Sequence, residues 1–313
     1  MKILFVVSGN STFKIVPFIV YQAVSLRSLG VEVDIFPIVG KGFFGYAKNI
    51  PKLRSLFYLN RYDIIHSHYG LSGFFTTISL VSCKKVLSLM GTDVYPDHSK
   101  SNKIINFLKW ILNYLLSTVA IIFSDIVIVK SKNIFEYLLY KSKTFIIPNG
   151  VDFSSFAPSS EELCIEKNIL FLGNTKDPRK NFELAKRSFD LINDGTFNLV
   201  TPFPAKPTDI ASIINSAKLL ILTSLNEGSP NVVKEAMACN IPIVSTAVGD
   251  VEDLIGKTEG CFIAKFDERD FSKKILMALK FNKRTGGRND IKHLDSRLIG
   301  QRLIDLYDLI LKK

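Results

Sequence analysis

Short runs of consecutive apolar residues alternate along the whole chain with longer segments whose apolar positions recur every three or four residues. In the first half the short runs predict strands at 3–7, 31–36, 64–67, 86–90, 126–129 and 145–147. Helical spacing lies between them at 16–29, 72–81, 102–117 and 133–140. Pro148-Asn149-Gly150 breaks the pattern, which then restarts with strands at 169–172, 197–200, 219–222, 243–245 and 262–264 and helices at 182–192, 209–216, 231–238 and 267–281. Strands that are apolar throughout, rather than alternating, belong to parallel sheets covered on both faces. The expectation is an α/β protein of two facing Rossmann-like parallel-sheet domains, residues 1–152 and 153–290, with a ligand cleft at the carboxyl ends of the strands. A last helical pattern, with apolar residues at 291, 294, 298, 303, 307 and 310, follows the polar stretch 283–288. It is expected to cross back and pack, as residues 291–313, on the first domain.

Residues 104–123 approach the length and apolarity of a membrane span. Asn106, Lys109, Asn113 and Ser117 fall on one narrow stripe of that segment, which suits a helix half-buried in protein or lying at a bilayer surface. The run 3–7 is too short for the apolar core of an export signal and reads as a buried first strand. Hydrophobic residues make up 47% and charged residues 22%, which excludes a disordered chain. The 4 Cys, at 83, 164, 239 and 261, contain no C-x-x-C, so a reduced cytosolic protein without a structural metal is expected. Charge is lopsided. Residues 1–150 carry 17 Lys and Arg against 7 Asp and Glu, whereas residues 151–313 carry 23 against 22. A basic half favours an anionic lipid surface or an anionic substrate, and the absence of an Arg-rich recognition helix or an aromatic-basic motif ranks nucleic acid last. Lys41, Lys48, Lys52, Arg54, Arg61, Lys100, Lys103 and Lys109 cluster near aromatic and aliphatic residues, the pattern of a peripheral membrane face.

The segment after strand 219–222 carries the densest chemistry, reading Glu227-Gly228-Ser229-Pro230-Asn231-Val232-Val233-Lys234-Glu235. Ser229 is suited to cap a helix that has Pro230 at its first position, leaving the amides of Asn231 and Val232 pointed outward as an anion site. Glu227 and Glu235 can then face one ligand, since a carboxylate accepts two hydrogen bonds from vicinal hydroxyls. A capped surface helix with solvated glutamates has the same spacing.

This Glu-x7-Glu block resembles the donor-binding signature of the retaining glycosyltransferases of family four, which have the GT-B fold. Other segments are similar in register: Asp63-Ile64-Ile65-His66-Ser67-His68-Tyr69-Gly70, Gly91-Thr92-Asp93, Ile147-Pro148-Asn149-Gly150-Val151-Asp152, Phe171-Leu172-Gly173 to Arg179-Lys180-Asn181, and Val248-Gly249-Asp250-Val251-Glu252-Asp253-Leu254-Ile255. The resemblance implies a nucleotide diphosphate sugar as donor, no cofactor, and a glycan acceptor, expected to be lipid-linked. It gives Glu235 the nucleotide ribose, Glu227 the transferred hexose, Lys180 the diphosphate, and His68 a catalytic place beside the sugar. Gly9, Asn174, Arg179, Gly228, Ser229, Asn231 and Val232 complete the expected donor contacts. Without any Asp-x-Asp in the chain, a metal-clamped diphosphate lacks its ligands, and metal-independent transfer with retention is implied. Three positions depart from the family's pattern: Asn174 where Arg is usual, Met90 where His often precedes Gly-x-Asp, and a lone Gly9 where paired glycines are frequent. Asn174 and Met90 keep open a catalytically silent GT-B subunit that binds glycan or supports a partner enzyme, and a sugar-nucleotide epimerase on the same scaffold is a third reading.

Overall fold

The computed structural model describes residues 1–95, 103–159, 167–192 and 195–312; Lys100 and Cys164 lie outside them. The chain divides into two compact units. One is the chain up to Gly150 together with the residues from Ser296 onward; the other is Val151–Asp295.

The first unit runs β1 (Lys2–Ser8), α1 (Pro17–Ser28), β2 (Glu32–Ile38), α2 (Gly42–Ala47), α3 (Ile50–Asn60), β3 (Ile64–His68), α4 (Gly70–Ile78), β4 (Lys84–Leu89), α5 (Lys103–Ile122), β5 (Ile126–Val129), α6 (Lys132–Tyr137) and β6 (Thr144–Ile146). The second runs β7 (Asn168–Leu170), α7 (Phe182–Asp190), β8 (Asn198–Val200), α8 (Ile210–Asn215), β9 (Leu219–Leu222), α9 (Asn231–Ala238), β10 (Ile243–Thr246), α10 (Val251–Ile255), β11 (Phe262–Ala264), α11 (Glu268–Phe281) and α12 (Gly287–Asp290). Helix α13 (Ser296–Leu311) closes the first unit.

Each expected strand is present, and every strand pair is parallel, in the orders β2-β1-β3-β4-β5-β6 and β11-β10-β9-β7-β8. Parallel strands buried on both faces need the continuous apolar runs that the sequence supplies, as in Ile3–Val7, where every side chain is buried. One face of the first sheet packs Leu4, Val6 and Ile65 against Leu53, Phe57 and Phe75, while Leu87, Leu89, Val127 and Val129 pack against Ala120 and Ile121 of α5. In the second unit Ile169, Phe171, Leu219, Ile221 and Val244 meet Ala185 and Phe189 of α7 and Phe271 and Ile275 of α11.

Local expectations are corrected at the C-terminal segment. The last helix begins at Ser296 rather than residue 291, because Lys292–Leu294 forms a tighter 3-10 turn whose i+3 spacing of apolar residues mimics a helix. The stretch 283–288 is no polar linker. Arg284 donates to Cys239 O at 2.7 Å and to Ser159 Oγ at 2.6 Å, and Arg288 donates to Phe153 O, Phe156 O and Ala238 O at 2.8, 2.5 and 3.1 Å. Residues 39–52, for which the sequence pattern gives no element, hold α2 and the start of α3, whose Pro51 sits in the first turn, where a missing N–H costs nothing. Helix α13 lies along α1, with Ser25 Oγ donating to Ser296 O at 2.7 Å, and buries Tyr307 completely. Among the described residues no helix is long and apolar enough to cross a membrane. Helix α5 instead brings Asn113 and Ser117 of its polar stripe to the lining of a pocket and leaves Phe107, Leu108, Leu112 and Leu115 exposed.

Candidate functional site

In the second sheet β7 lies between β8 and β9, so the chain reverses its direction of travel across the sheet at β7. Loops leaving the strands at such a switch diverge and leave room for a ligand. The loop after β7 ends in the 3-10 turn Pro178–Lys180, and the loop after β9 leads into α9. Side chain and backbone lock the two loops together. Thr223 Oγ1 donates to Lys180 O at 3.0 Å and Asn181 O at 2.9 Å, and Leu225 N donates to Arg179 O at 2.8 Å. Lys180 Nζ consequently meets Glu227 Oε1 at 2.5 Å, and Ser224 Oγ donates to the same oxygen at 2.8 Å. An ammonium and a carboxylate, both partly buried, therefore stand at the mouth of the switch.

The other expected donor contacts fall into place unequally. Arg179 does not hold a charge in reserve, because its guanidinium grips both oxygens of Asp177 at 3.1 and 2.7 Å. Burial raises the Asp177 carboxyl, but the hydrogen bonds and charge of Arg179 outweigh it and hold the group below the usual carboxylate range. Asn174 builds a turn: its Oδ1 accepts from Lys176 N at 3.0 Å and its carbonyl from Asp177 N at 3.0 Å. Ser229 does not cap α9. That helix spans Asn231–Ala238, as its apolar spacing predicts, but Pro230 takes the cap position, and the Ser229 hydroxyl donates to Asp250 Oδ2 at 2.6 Å. Asn231 and Val232 do form the first turn of α9, where backbone N–H groups point out of the helix. Gly228 is backed by Gly249, at φ +58°, where a Cβ would lie 2.9 Å from Gly228 O. Glu235, within α9, differs in surroundings from Glu227: burial pushes its carboxyl up to about 7 against the pull of neighbouring Lys234. Asp250 escaped the sequence reading as a site residue, although an acid directly after the positive-φ glycine of the β10–α10 loop was the available signal.

In the first unit β1 is the switch strand, between β2 and β3. Loops after β1, β3 and β4, together with α5, line a pocket of about 350 Å³ with Ser11, Tyr69, Thr92, Asn113 and Ser117. Hydroxyl and amide groups around an open pocket of this size can hold a polyhydroxylated molecule. Asp93 organises it by accepting from Gly70 N at 3.0 Å, Met90 N at 3.0 Å and Gly91 N at 2.9 Å, although burial raises its carboxyl. Tyr69 is held at φ 74°, ψ 143°, a backbone region nearly confined to glycine and costing about 1–3 kcal/mol. Gly9 is closely surrounded, since a Cβ would lie 3.0 Å from Pro37 Cβ and 3.1 Å from Ile38 O, and its N–H donates to Ile38 O at 2.8 Å. Its neighbours Ser8 and Asn10, rather than Gly9 itself, reach the pocket.

His68 is corrected. It is fully buried at the end of β3, stacked on His66 with ring centroids 4.4 Å apart, and neither ring nitrogen has a hydrogen-bond partner. Burial first, then the charges of His66 and Lys130, drive its pKa well below the ordinary histidine value. In this conformation it presents no nitrogen to a ligand. His66 shares hydrogen bonds with Tyr307 OH at 2.6 Å and Ser88 Oγ at 2.8 Å and is a packing residue.

The family model of the glycosyl transferases group 1 matches residues 166–280, and that of the glycosyl transferase 4-like domain matches residues 25–126. Among curated relatives, the chain is 28% identical over 131 residues to the N,N'-diacetylbacillosaminyl-diphospho-undecaprenol alpha-1,3-N-acetylgalactosaminyltransferase of Campylobacter jejuni, covering 40% of this chain and 34% of that one. It is 25% identical over 233 residues to a putative teichuronic acid biosynthesis glycosyltransferase of Bacillus subtilis, covering 64% and 57%. To the UDP-Gal:alpha-D-GlcNAc-diphosphoundecaprenol alpha-1,3-galactosyltransferase of Escherichia coli it is 23% identical over 320 residues, covering 85% and 80%. The match thus spans a third of the first relative's length and somewhat over half of the second's. Among solved structures, sucrose-phosphate synthase from Thermosynechococcus elongatus superposes with a TM-score of 0.78 at 16% identity over 100% of both chains. The Anabaena protein HepE in complex with UDP does so at 0.75 and 14%, over 98% of this chain and 100% of that one. With its two parallel sheets, its Glu-x7-Glu helix at the second switch point and both family models in chain order, this chain belongs to the group 1, family-four-like glycosyltransferases of the GT-B fold.

Proposed function

We propose that the chain moves a hexose, with retention and without a metal, from a nucleotide diphosphate sugar to a lipid-linked glycan that is a precursor of surface polysaccharide. The observation that carries this reading is the convergence, at the second switch point, of Lys180, Glu227 and the start of α9, with Glu235 inside that helix. A diphosphate calls for fixed positive charge, which an ammonium and a helix N-terminus supply without a metal. Hydroxyls of a ribose and a hexose call for acceptors, which the two carboxylates supply. In this reading the Lys180–Glu227 pair is the resting arrangement. A bound donor draws Lys180 to the diphosphate and releases Glu227 to the sugar, while Glu235 takes the ribose. Retention comes with the family resemblance. The acceptor class is supported by the relatives that act on diphosphoundecaprenol-linked sugars and by the hydroxyl-lined first-unit pocket. Exposed apolar residues on α2 and α5, in the basic part of the chain, suit a peripheral place at an anionic membrane where such an acceptor resides.

The test is incubation of the purified protein with a panel of uridine- and guanosine-diphosphate sugars, measuring released nucleoside diphosphate with and without lipid-linked acceptor. Slow release alone and faster release with acceptor is expected. No binding of any nucleotide sugar would leave the silent-subunit reading, for which Asn174 and Met90 speak, and rapid sugar interconversion without acceptor would leave the epimerase.

A further inference from the structure

The turn that carries β3 into α4 puts Tyr69 in a conformation that side chains avoid. Other side chains also have positive φ, and Arg61, Asn181 and Asn282 show the usual way: each starts or ends a helix in the left-handed helical well, which a Cβ tolerates. Tyr69 shares the sign of φ at 74°, but its ψ of 143° lies outside that well, in a region nearly confined to glycine. A glycine stands one position later and is spent on another task. Gly70 lets α4 close on α5, since a Cβ there would overlap Ser117 Oγ. The strained residue is held from both sides. Its N–H donates to Ser88 O at 2.9 Å and its carbonyl accepts from Gly73 N at 3.0 Å. The N–H of Gly70 is fixed in turn on Asp93 Oδ2 at 3.0 Å.

A bulky residue kept in such a conformation points to a use for its side chain. Tyr69 is half-buried between the fully enclosed His68 and Gly70, and it lines the first-unit pocket. That lining has two characters. Tyr46, Leu71 and Tyr69 itself offer aromatic and apolar surface, while Ser11, Thr92 and Asn113 offer hydroxyl and amide groups. A pyranose ring has the same two characters, hydroxyls around its edge and C–H groups on its face. Those C–H hydrogens carry partial positive charge and pack against the negative face of an aromatic ring. We propose that Tyr69 is a specificity-determining residue of this pocket, an aromatic platform for one pyranose ring of the acceptor, presented there by the strained turn. This rests on the reading of the first-unit pocket as the place of the glycan acceptor. Ser88 O and Asp93 hold the turn still, so the sugar meets a platform that is already in position.

Saturation-transfer NMR with the methyl glycosides of glucose, galactose, mannose, N-acetylglucosamine and N-acetylgalactosamine tests it on the parent protein, Tyr69→Phe, Tyr69→Ala and Tyr69→Gly. The parent protein is expected to bind at least one of these pyranosides, with transfer strongest to the C–H protons of one ring face. Tyr69→Phe keeps that binding and that face. Tyr69→Ala and Tyr69→Gly weaken it by about two- to tenfold, the worth of one aromatic contact, and remove the difference between faces. Binding of uridine diphosphate, assigned to the other unit, is the same in all four proteins. Thermal unfolding reads the strain separately. Tyr69→Gly should melt at or above Tyr69→Ala, although glycine loses more freedom on folding, because only glycine escapes the strain. Pyranoside binding that survives unchanged in Tyr69→Ala, that Tyr69→Phe fails to keep, or that falls together with uridine diphosphate binding overturns the inference. So does a Tyr69→Gly variant that melts below Tyr69→Ala. A parent protein that binds none of the pyranosides overturns the acceptor-pocket reading instead. Should Tyr69→Ala not fold, Tyr69→Leu, which keeps bulk without a ring, carries the binding comparison.

Discussion

Glu227 and Glu235 lie on the same short segment but differ in what they already hold. Glu227 is engaged by Lys180 Nζ and Ser224 Oγ, whereas Glu235 is a desolvated carboxyl whose neighbouring charge is Lys234. Substitution should separate them. Glu235→Gln is expected to weaken nucleoside diphosphate binding by about 1–3 kcal/mol, the worth of lost charge-assisted hydrogen bonds. Glu227→Gln is expected to leave that binding intact or tighten it, because Lys180 is freed for the phosphates, while sugar transfer falls sharply. Calorimetry beside a turnover assay decides the matter, and equal loss of affinity in both variants would sink the division of roles. The sequence motif named these two residues and Lys180, and the structure pairs Lys180 with Glu227 while Glu235 lies within α9. It could not show that Arg179 is spent on Asp177, or that Ser229 serves Asp250 rather than the helix start, because both depend on loop geometry. Nor could it show His68 buried. Positions 66 and 68 share one face of β3, and a strand buried on both faces gives no pattern that tells one face from the other.

At the level of elements, the strands and most helices were legible because apolar periodicity specifies them; the short α2, α10 and α12 were not, because four to six residues hold too little periodicity, and neither was the eleven-residue α3. The polar stripe of α5 was legible, and its purpose emerged only with Asn113 and Ser117 at the pocket. Helix α13 is fastened by Tyr307, fully buried with its hydroxyl 2.6 Å from His66 Nδ1. Tyr307→Phe leaves that buried nitrogen without its partner and is expected to cost about 1–3 kcal/mol in urea unfolding. The same histidines set an acid limb. Burial, with Lys130 nearby, holds the folded-state pKa of His66 and His68 well below the unfolded value of about 6.5. Above that value both states are neutral and nothing is lost. As pH falls below it, the unfolded chain takes up protons first, so stability drops by about 1.4 kcal/mol per pH unit for each histidine until the folded-state pKa is reached. Unfolding midpoints measured from pH 7.5 down to 5 should therefore slope downward, and His68→Gln should roughly halve the slope. An unchanged slope would place the proton uptake elsewhere.

For the molecule as a whole, charge is the long-range property. Nearly all of the 17 basic and 7 acidic residues before position 151 belong to one unit, and Lys41, Lys48, Lys52, Arg54, Arg61 and Lys109 are exposed there. Helices α2 and α5 both pack against α4, and each shows solvent large apolar side chains, Phe44 at 80% and Leu108 at 59% exposure among them. Each basic residue near an anionic bilayer contributes about 1 kcal/mol, and apolar insertion adds to it. Co-sedimentation with anionic vesicles is expected at low salt, with several-fold loss as added salt shortens the Debye length from about 10 Å at 0.1 M. Phe44→Ser with Leu112→Ser should weaken it further without changing the salt slope. Equal binding to neutral vesicles, or none to anionic ones, would remove electrostatic docking.

The unit that carries this charge is assembled from the two ends of the sequence, whereas the other is one uninterrupted stretch. On a ribosome the order of completion is therefore inverted. Val151–Asp295 can fold as soon as it leaves the exit tunnel, but β1, β3 and α1 must wait for α13 to supply Tyr307 to His66 and Ser296 to Ser25. At translation rates of about 5–20 residues per second, the intervening stretch imposes a delay of roughly 7–30 s. Throughout that interval the aromatic and aliphatic surface under α13 has no covering helix, so the unit that begins first is completed last.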